Sequence, residues 1–120
     1  MKTQEMFDKI CQHAKLGVKS IGMGRLQYRG DKSIGISACQ YRGDNGSKCF
    51  AGVFIDDCDY SQDLERCSVW QLTAMKKIPA DKSQVRFLNE MQGIHDGFSV
   101  EEWHGELEKY STKNGLQFNW

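Results

Sequence analysis

The sequence predicts an α+β fold: one mostly helical domain of about five helices with a single β-hairpin. Three observations predict it. Ser68, Asp81 and Ser99 each stand three residues ahead of Gln71, Gln84 and Glu102, the spacing of a capping box, and an apolar run of helical period follows each pair. Between Gly24 and Tyr41 the apolar period changes to two, with Gly30-Asp31-Lys32-Ser33 as turn-forming residues in the middle. From Cys49 to Ile55 the chain is apolar nearly all round, the mark of a short buried helix.

Taken in order, Thr3 caps a first helix running to Leu16, with Met6, Phe7, Ile10 and Ala14 on one face and Gly17 as its stop. The hairpin follows, with Leu26 and Tyr28 alternating on one arm and Ile34, Ile36 and Ala38 on the other. The short helix begins after Gly46-Ser47, and its Ala51 and Gly52 let another backbone approach closely. A polar turn from Asp56 to Arg66 leads to a helix that buries Val69, Leu72, Met75 and Ile78 and is closed by Pro79. The next helix carries Leu88, Met91, Ile94 and Phe98 and ends at Gly97; the last carries Val100, Trp103, Leu107 and Tyr110. Gly115 should end it in a left-handed turn that folds Leu116 back onto its stripe. Phe118 and Trp120 then pack on the same chain, or offer an apolar surface to a second copy or another protein.

The 120 residues suit one domain spanning 1–120, enough for a single core and too few for two. The formal net charge is zero, so there is no general electrostatic pull toward nucleic acid or an anionic membrane, and any phosphate binding must come from a local patch. The opening MKTQEMFDK lacks the apolar run of a signal peptide, and no segment approaches a membrane span in length; a cytoplasmic location is expected. Five cysteines, Cys11, Cys39, Cys49, Cys58 and Cys67, are an odd number with no C-x-x-C pair, so reduced thiols are expected and neither a metal nor a cofactor is implied. Asp56, Asp57, Asp59 and Asp63 fail as a calcium loop, because Gln62 and Ser68 stand where glycine and glutamate are needed. They read as turn formers, with Glu65 as a partner for Arg42.

Two copies of QYRGD, at Gln27 to Asp31 and Gln40 to Asp44, fall where a strand becomes a turn. Turn chemistry accounts for both. Alternatively the pairs Tyr28-Arg29 and Tyr41-Arg42 face one site, the rings stacking on a base or ribose and the guanidinium groups forking onto phosphate oxygens. The loop Gly43 to Lys48 leads into the short helix, where Gly46, Ser47 and Lys48 would offer free N–H groups and a positive charge to an anion. Cys49 beside Lys48, with His95 as base, is the candidate catalytic pair. The competing reading is a packed thiol and a hydrogen-bonded core histidine, with Asp96 projecting away from the ring.

The segment Tyr41 to Glu65 reads Y-R-G-x-x-G-x-K-C-x-x-G-x-x-I-x-D-x-x-Y-x-x-x-x-E, and Leu88, Met91, Gln92, Ile94, His95 and Asp96 read L-x-x-M-Q-x-I-H-D. Together they resemble a widespread group of small proteins encoded by tailed phages and bacteria. The chain departs from that pattern at Phe50, Asp56 and Arg66, where the group usually has Ala, Pro and Gly. The resemblance implies a phage-type accessory protein that acts by binding. It would be a counter-defence protein that sequesters a phosphate-bearing small molecule such as a nucleotide immune signal, or one that inhibits a host protein by contact. A Cys49-dependent hydrolase or transferase is the enzymatic alternative.

Overall fold

The structure, a computed structural model, describes residues 1–18, 40–43 and 47–120. Among the described residues it is mostly helical: α1 (Thr3–Ala14), α2 (Val69–Ala74), α3 (Lys82–Gly97) and α4 (Val100–Asn114), with 3-10 turns at Gly52–Phe54 and Gln62–Arg66. The expected α+β class with five helices is therefore corrected. No strand is present among the described residues; extended pairing is confined to one isolated antiparallel bridge between Arg42 and Lys48. The hairpin arms fall at 24–41, almost wholly outside the described residues.

The fifth helix, expected at Cys49 to Ile55, is instead a turn followed by the three-residue 3-10 turn. Its burial is as the composition predicts, with Cys49, Phe50, Ala51, Phe54 and Ile55 all in the core. Its backbone closes only local turns, Val53 N–H to the Cys49 carbonyl at 3.2 Å, Phe54 to Ala51 at 3.1 Å and Ile55 to Gly52 at 3.2 Å, and the groups at its two ends bond elsewhere. The Ala51 N–H donates to Gln92 Oε1 at 2.8 Å, and the Ile55 carbonyl accepts from Arg42 Nη2 at 2.6 Å. Groups that would extend a helix are thus engaged by side chains from other segments.

The long helices follow their caps. In α2 the Ser68 hydroxyl accepts from the Gln71 N–H at 3.1 Å, and the Gln71 side chain accepts from the Ser68 N–H at 2.8 Å. Asp81 and Gln84 do the same for α3; the Ser83 hydroxyl and the Gln84 N–H hold the Asp81 carboxyl below its ordinary value. At α4 the Ser99 N–H and hydroxyl both donate to Glu102. For α1 the cap position is Lys2 rather than Thr3, its N–H donating to Glu5 Oε1 at 2.9 Å. No helix among the described residues is long and apolar enough to cross a membrane.

Two helix ends differ in an instructive way. Gly115 takes φ 69°, and the Leu116 N–H returns to the Ser111 carbonyl at 2.9 Å, the expected left-handed stop. Helix α2 stops at Ala74, well before Pro79, because Lys76 itself adopts φ 61° and the Lys77 N–H bonds back to Leu72 at 2.9 Å. That reversal turns Met75 out to solvent, contrary to its expected core position, while Ile78 stays buried.

One core joins these elements. Helix α1 lays Met6, Phe7, Ile10, Cys11 and Ala14 against α4 and the first 3-10 turn, while α3 packs between α2 and α4. The C-terminal tail closes over α1: Gln4 exchanges two hydrogen bonds with the Gln117 backbone, at 2.9 and 3.0 Å. Phe118 lies 6.5 Å from Phe7, and His104 sits edge-on to both Phe118 and Trp120. Of the two expected fates for the tail, packing on the same chain is the one observed.

Candidate functional site

The predicted site residues separate into three groups. Tyr28, Arg29 and Gly46 lie outside the described residues. Tyr41, Cys49 and His95 are buried. Arg42, Ser47 and Lys48 are half-buried, and Arg42 and Lys48 come together at one corner.

Tyr41 belongs to the core. Its hydroxyl donates to the Cys67 carbonyl at 2.6 Å, so its ring is not presented for stacking on a base. Arg42 is held from several sides: Nη2 donates to the Ile55 carbonyl at 2.6 Å, Nη1 pairs with Asp57 Oδ1 at 2.8 Å, and the guanidinium lies over the Tyr60 ring at 4.9 Å. The expected Arg42–Glu65 pairing takes another form. Glu65 Oε1 and Oε2 accept the backbone N–H groups of Tyr41 and Arg42 at 2.9 and 3.1 Å, and Oε2 also accepts the Tyr60 hydroxyl at 2.6 Å. Burial, and then the bond to Glu65, pushes the Tyr60 hydroxyl well above the usual phenol range, so it remains a donor.

Lys48 pairs across the bridge with Arg42, and its Nζ reaches the same Asp57 Oδ1 at 3.8 Å. Two cations therefore converge on one carboxylate oxygen at the surface. The sequence carried a signal for Asp57 only as one of four turn aspartates. What the corner lacks is the expected helix start, since a three-residue 3-10 turn has no aligned run of peptide dipoles to favour an anion. Any anion there is held by side chains.

Cys49 is fully buried and its Sγ accepts from the Gly52 N–H at 3.3 Å. His95 is 1% exposed, stacked on Trp103 at 5.2 Å and edge-on to Phe50 at 5.1 Å. Contrary to expectation, Asp96 does orient the ring: its Oδ1 lies 2.8 Å from His95 Nδ1. An i,i+1 carboxylate can reach back to a ring that packs along the helix surface, which a Cβ-direction argument misses. Burial pushes the Cys11 thiol up to about 12, away from thiolate chemistry. At the polar turn Asp56, Cys58 and Asp59 bring one donor atom each within 4.8 Å of one another, but Asp56 and Cys58 are exposed, Asp59 is half-buried, and Lys77 draws on Asp59 at 3.8 Å. A cleft of about 460 Å³ between Met1 and the α2–α3 connection contains none of the predicted site residues.

Helix α1 touches the corner through His13, whose Nε2 lies 2.6 Å from the Lys48 carbonyl. That geometry requires Nε2 to carry the proton. Burial, opposed by this bond and helped by the charges of Lys48 and His95, lowers the His13 pKa from its ordinary value. A lowered folded value means that the unfolded chain binds the proton more readily. The stability from neutral His13 is thus complete above the ordinary histidine value of about 6.5 and is lost as pH falls from there through the folded value. Thermal melts from about pH 8 to about pH 5 should show this loss, and His13→Gln, which keeps an N–H donor without a titrating ring, should flatten it. An undiminished slope in that variant would assign the acid sensitivity elsewhere.

Comparison with protein-family models, with curated proteins and with solved structures finds no match to this chain.

Proposed function

We propose that this is a phage-type accessory protein that works by binding. It holds a phosphate-bearing small molecule, such as a nucleotide immune signal, at the corner formed by Arg42, Ser47 and Lys48, and so acts in counter-defence. The observation that carries the anion reading is the convergence of Arg42 and Lys48 on a single surface oxygen, at 2.8 and 3.8 Å. Guanidinium and ammonium groups placed in this way suit a phosphate oxygen. The phage and counter-defence parts rest on the sequence resemblance. Burial of both Cys49 and His95 speaks against the hydrolase alternative, because a substrate carbonyl or phosphoryl group has no route to the thiol.

The test is calorimetry or thermal shift against mono-, di- and cyclic nucleotides, in which a true ligand raises Tm with its concentration. Lys48→Ala should weaken that binding by about 1 to 3 kcal/mol, the contribution of one charge-assisted hydrogen bond, and the loss should shrink as salt rises. Tm of the unliganded protein should barely move, since a half-exposed lysine 3.8 Å from an exposed carboxylate contributes about 0 to 1 kcal/mol. Unchanged affinity in Lys48→Ala would remove the corner as the binding site.

One observation favours the host-protein alternative. Trp70 on α2 is 58% exposed and Met75 just beyond it is 49% exposed, whereas in the tail Phe118 is folded back on α1 and α4 and Trp120, packed on His104, keeps 38% exposure. Under that reading, Trp70→Ser would abolish co-purification of a host protein and Lys48→Ala would not.

A further inference from the structure

We propose that Asp57 is a built-in competitor for the basic corner, its carboxylate standing where a ligand phosphate oxygen would sit between Arg42 and Lys48, so that binding exchanges one anion for the other. This rests on the anion-binding reading above and adds to it how the site is regulated and which ligands it admits.

The geometry has three parts. Asp57 Oδ1 alone receives both cations, Arg42 Nη1 at 2.8 Å and Lys48 Nζ at 3.8 Å, which is the arrangement one phosphate oxygen would adopt. The Asp57 side chain is 83% exposed, so it can swing into water without giving up packing. Arg42 cannot follow it, because the Ile55 carbonyl and the Tyr60 ring hold the guanidinium in place at 2.6 and 4.9 Å. When the carboxylate leaves, Arg42 Nη1 stays in place as a donor, with Lys48 Nζ beside it.

Selectivity follows from charge. An exposed carboxylate pair is a weak bond, so a phosphate with nearly two charges and three oxygens displaces it, whereas chloride or another carboxylate gains little over what is already there. The internal anion thus sets a threshold that only multiply charged phosphates pass.

The test uses inorganic pyrophosphate as the probe, titrated calorimetrically into the wild-type protein and into Asp57→Asn, Asp57→Ser and Lys48→Ala. Removing the competing charge should tighten pyrophosphate binding by about three- to tenfold in both Asp57 variants, as the modest strength of exposed ion pairs dictates. The second variant guards against a turn-specific effect of asparagine, and melting temperatures close to wild type confirm that the fold is intact. If the Asp57 variants bind no tighter than wild type while Lys48→Ala binds more weakly, the competitor idea fails and the anion site stands. If no variant, nor the wild type, binds pyrophosphate saturably, the anion site itself falls and the inference falls with it.

Discussion

Gly52→Ala is expected to destabilise the protein by about 3 kcal/mol or more, at the severe end for a single substitution. A Cβ at Gly52 would lie far inside van der Waals contact with the Tyr41 carbonyl oxygen, and only 3.0 Å from its carbonyl carbon. The obstacle is backbone, so no side-chain rotation relieves it. The Tyr41–Arg42 backbone cannot retreat freely, because both N–H groups are tied to the buried Glu65. Moving it would break those bonds or push the Tyr41 ring out of the core. Urea denaturation measures the cost, with Gly93→Ala as the control: a Cβ at Gly93 meets nothing within 4 Å, and alanine there should stabilise α3 by about 0.5 to 1 kcal/mol. A loss below about 1 kcal/mol in Gly52→Ala would mean that the close approach is not rigid.

This contact also explains what the sequence could reveal and what it could not. The helices were legible because their signals are local. A cap such as Ser68 or Asp81 bonds a residue three positions on, and the apolar stripe of α4 repeats within one helix. Burial of Cys49 to Ile55 was legible from composition, but its conformation was not. Gln92, 41 residues away, caps the Ala51 N–H and Arg42 caps the Ile55 carbonyl, so the stretch is fastened at both ends as a short turn, and neither partner is marked in the local pattern. Lys76 gave no sign either, since a left-handed helix stop is normally read from glycine.

The same division holds at the site. Tyr41, Arg42, Gly52, Ile55, Asp57, Tyr60 and Glu65 all belong to the pattern recognised in the sequence, and in the structure they close on one another. Its second part closes on the first, through Gln92 to Ala51 and His95 to Phe50. Most of the pattern therefore describes how a segment with little regular secondary structure is fastened. The corner at Lys48 and Asp57 is where it reaches solvent. Lys48 is half-buried at this corner, whereas Tyr41 is in the core, because a tyrosine beside an arginine serves a buried hydroxyl bond as readily as a stacking face.

Glu65→Ala should be the other large loss, about 3 to 5 kcal/mol, because it strands several donors at once. Glu65 is 8% exposed and its two oxygens accept the Tyr41 N–H, the Arg42 N–H and the Tyr60 hydroxyl. Alanine removes every one of these acceptors and leaves a void that water would have to enter. Two milder variants separate the contributions. Tyr60→Phe keeps Glu65 and both backbone bonds and should cost about 1 kcal/mol, the net value of one hydrogen bond. Glu65→Gln keeps one oxygen but turns an amide NH₂ toward a donor, so it should fall between the other two. The ordering Tyr60→Phe, Glu65→Gln, Glu65→Ala, read from urea denaturation midpoints, is the expected result. Equal costs for all three would show that the phenol bond alone accounts for the effect and that the backbone N–H groups find other partners. Because Glu65 fixes the Arg42 backbone, Glu65→Gln in its folded state should also weaken pyrophosphate binding at the corner, without touching either cation.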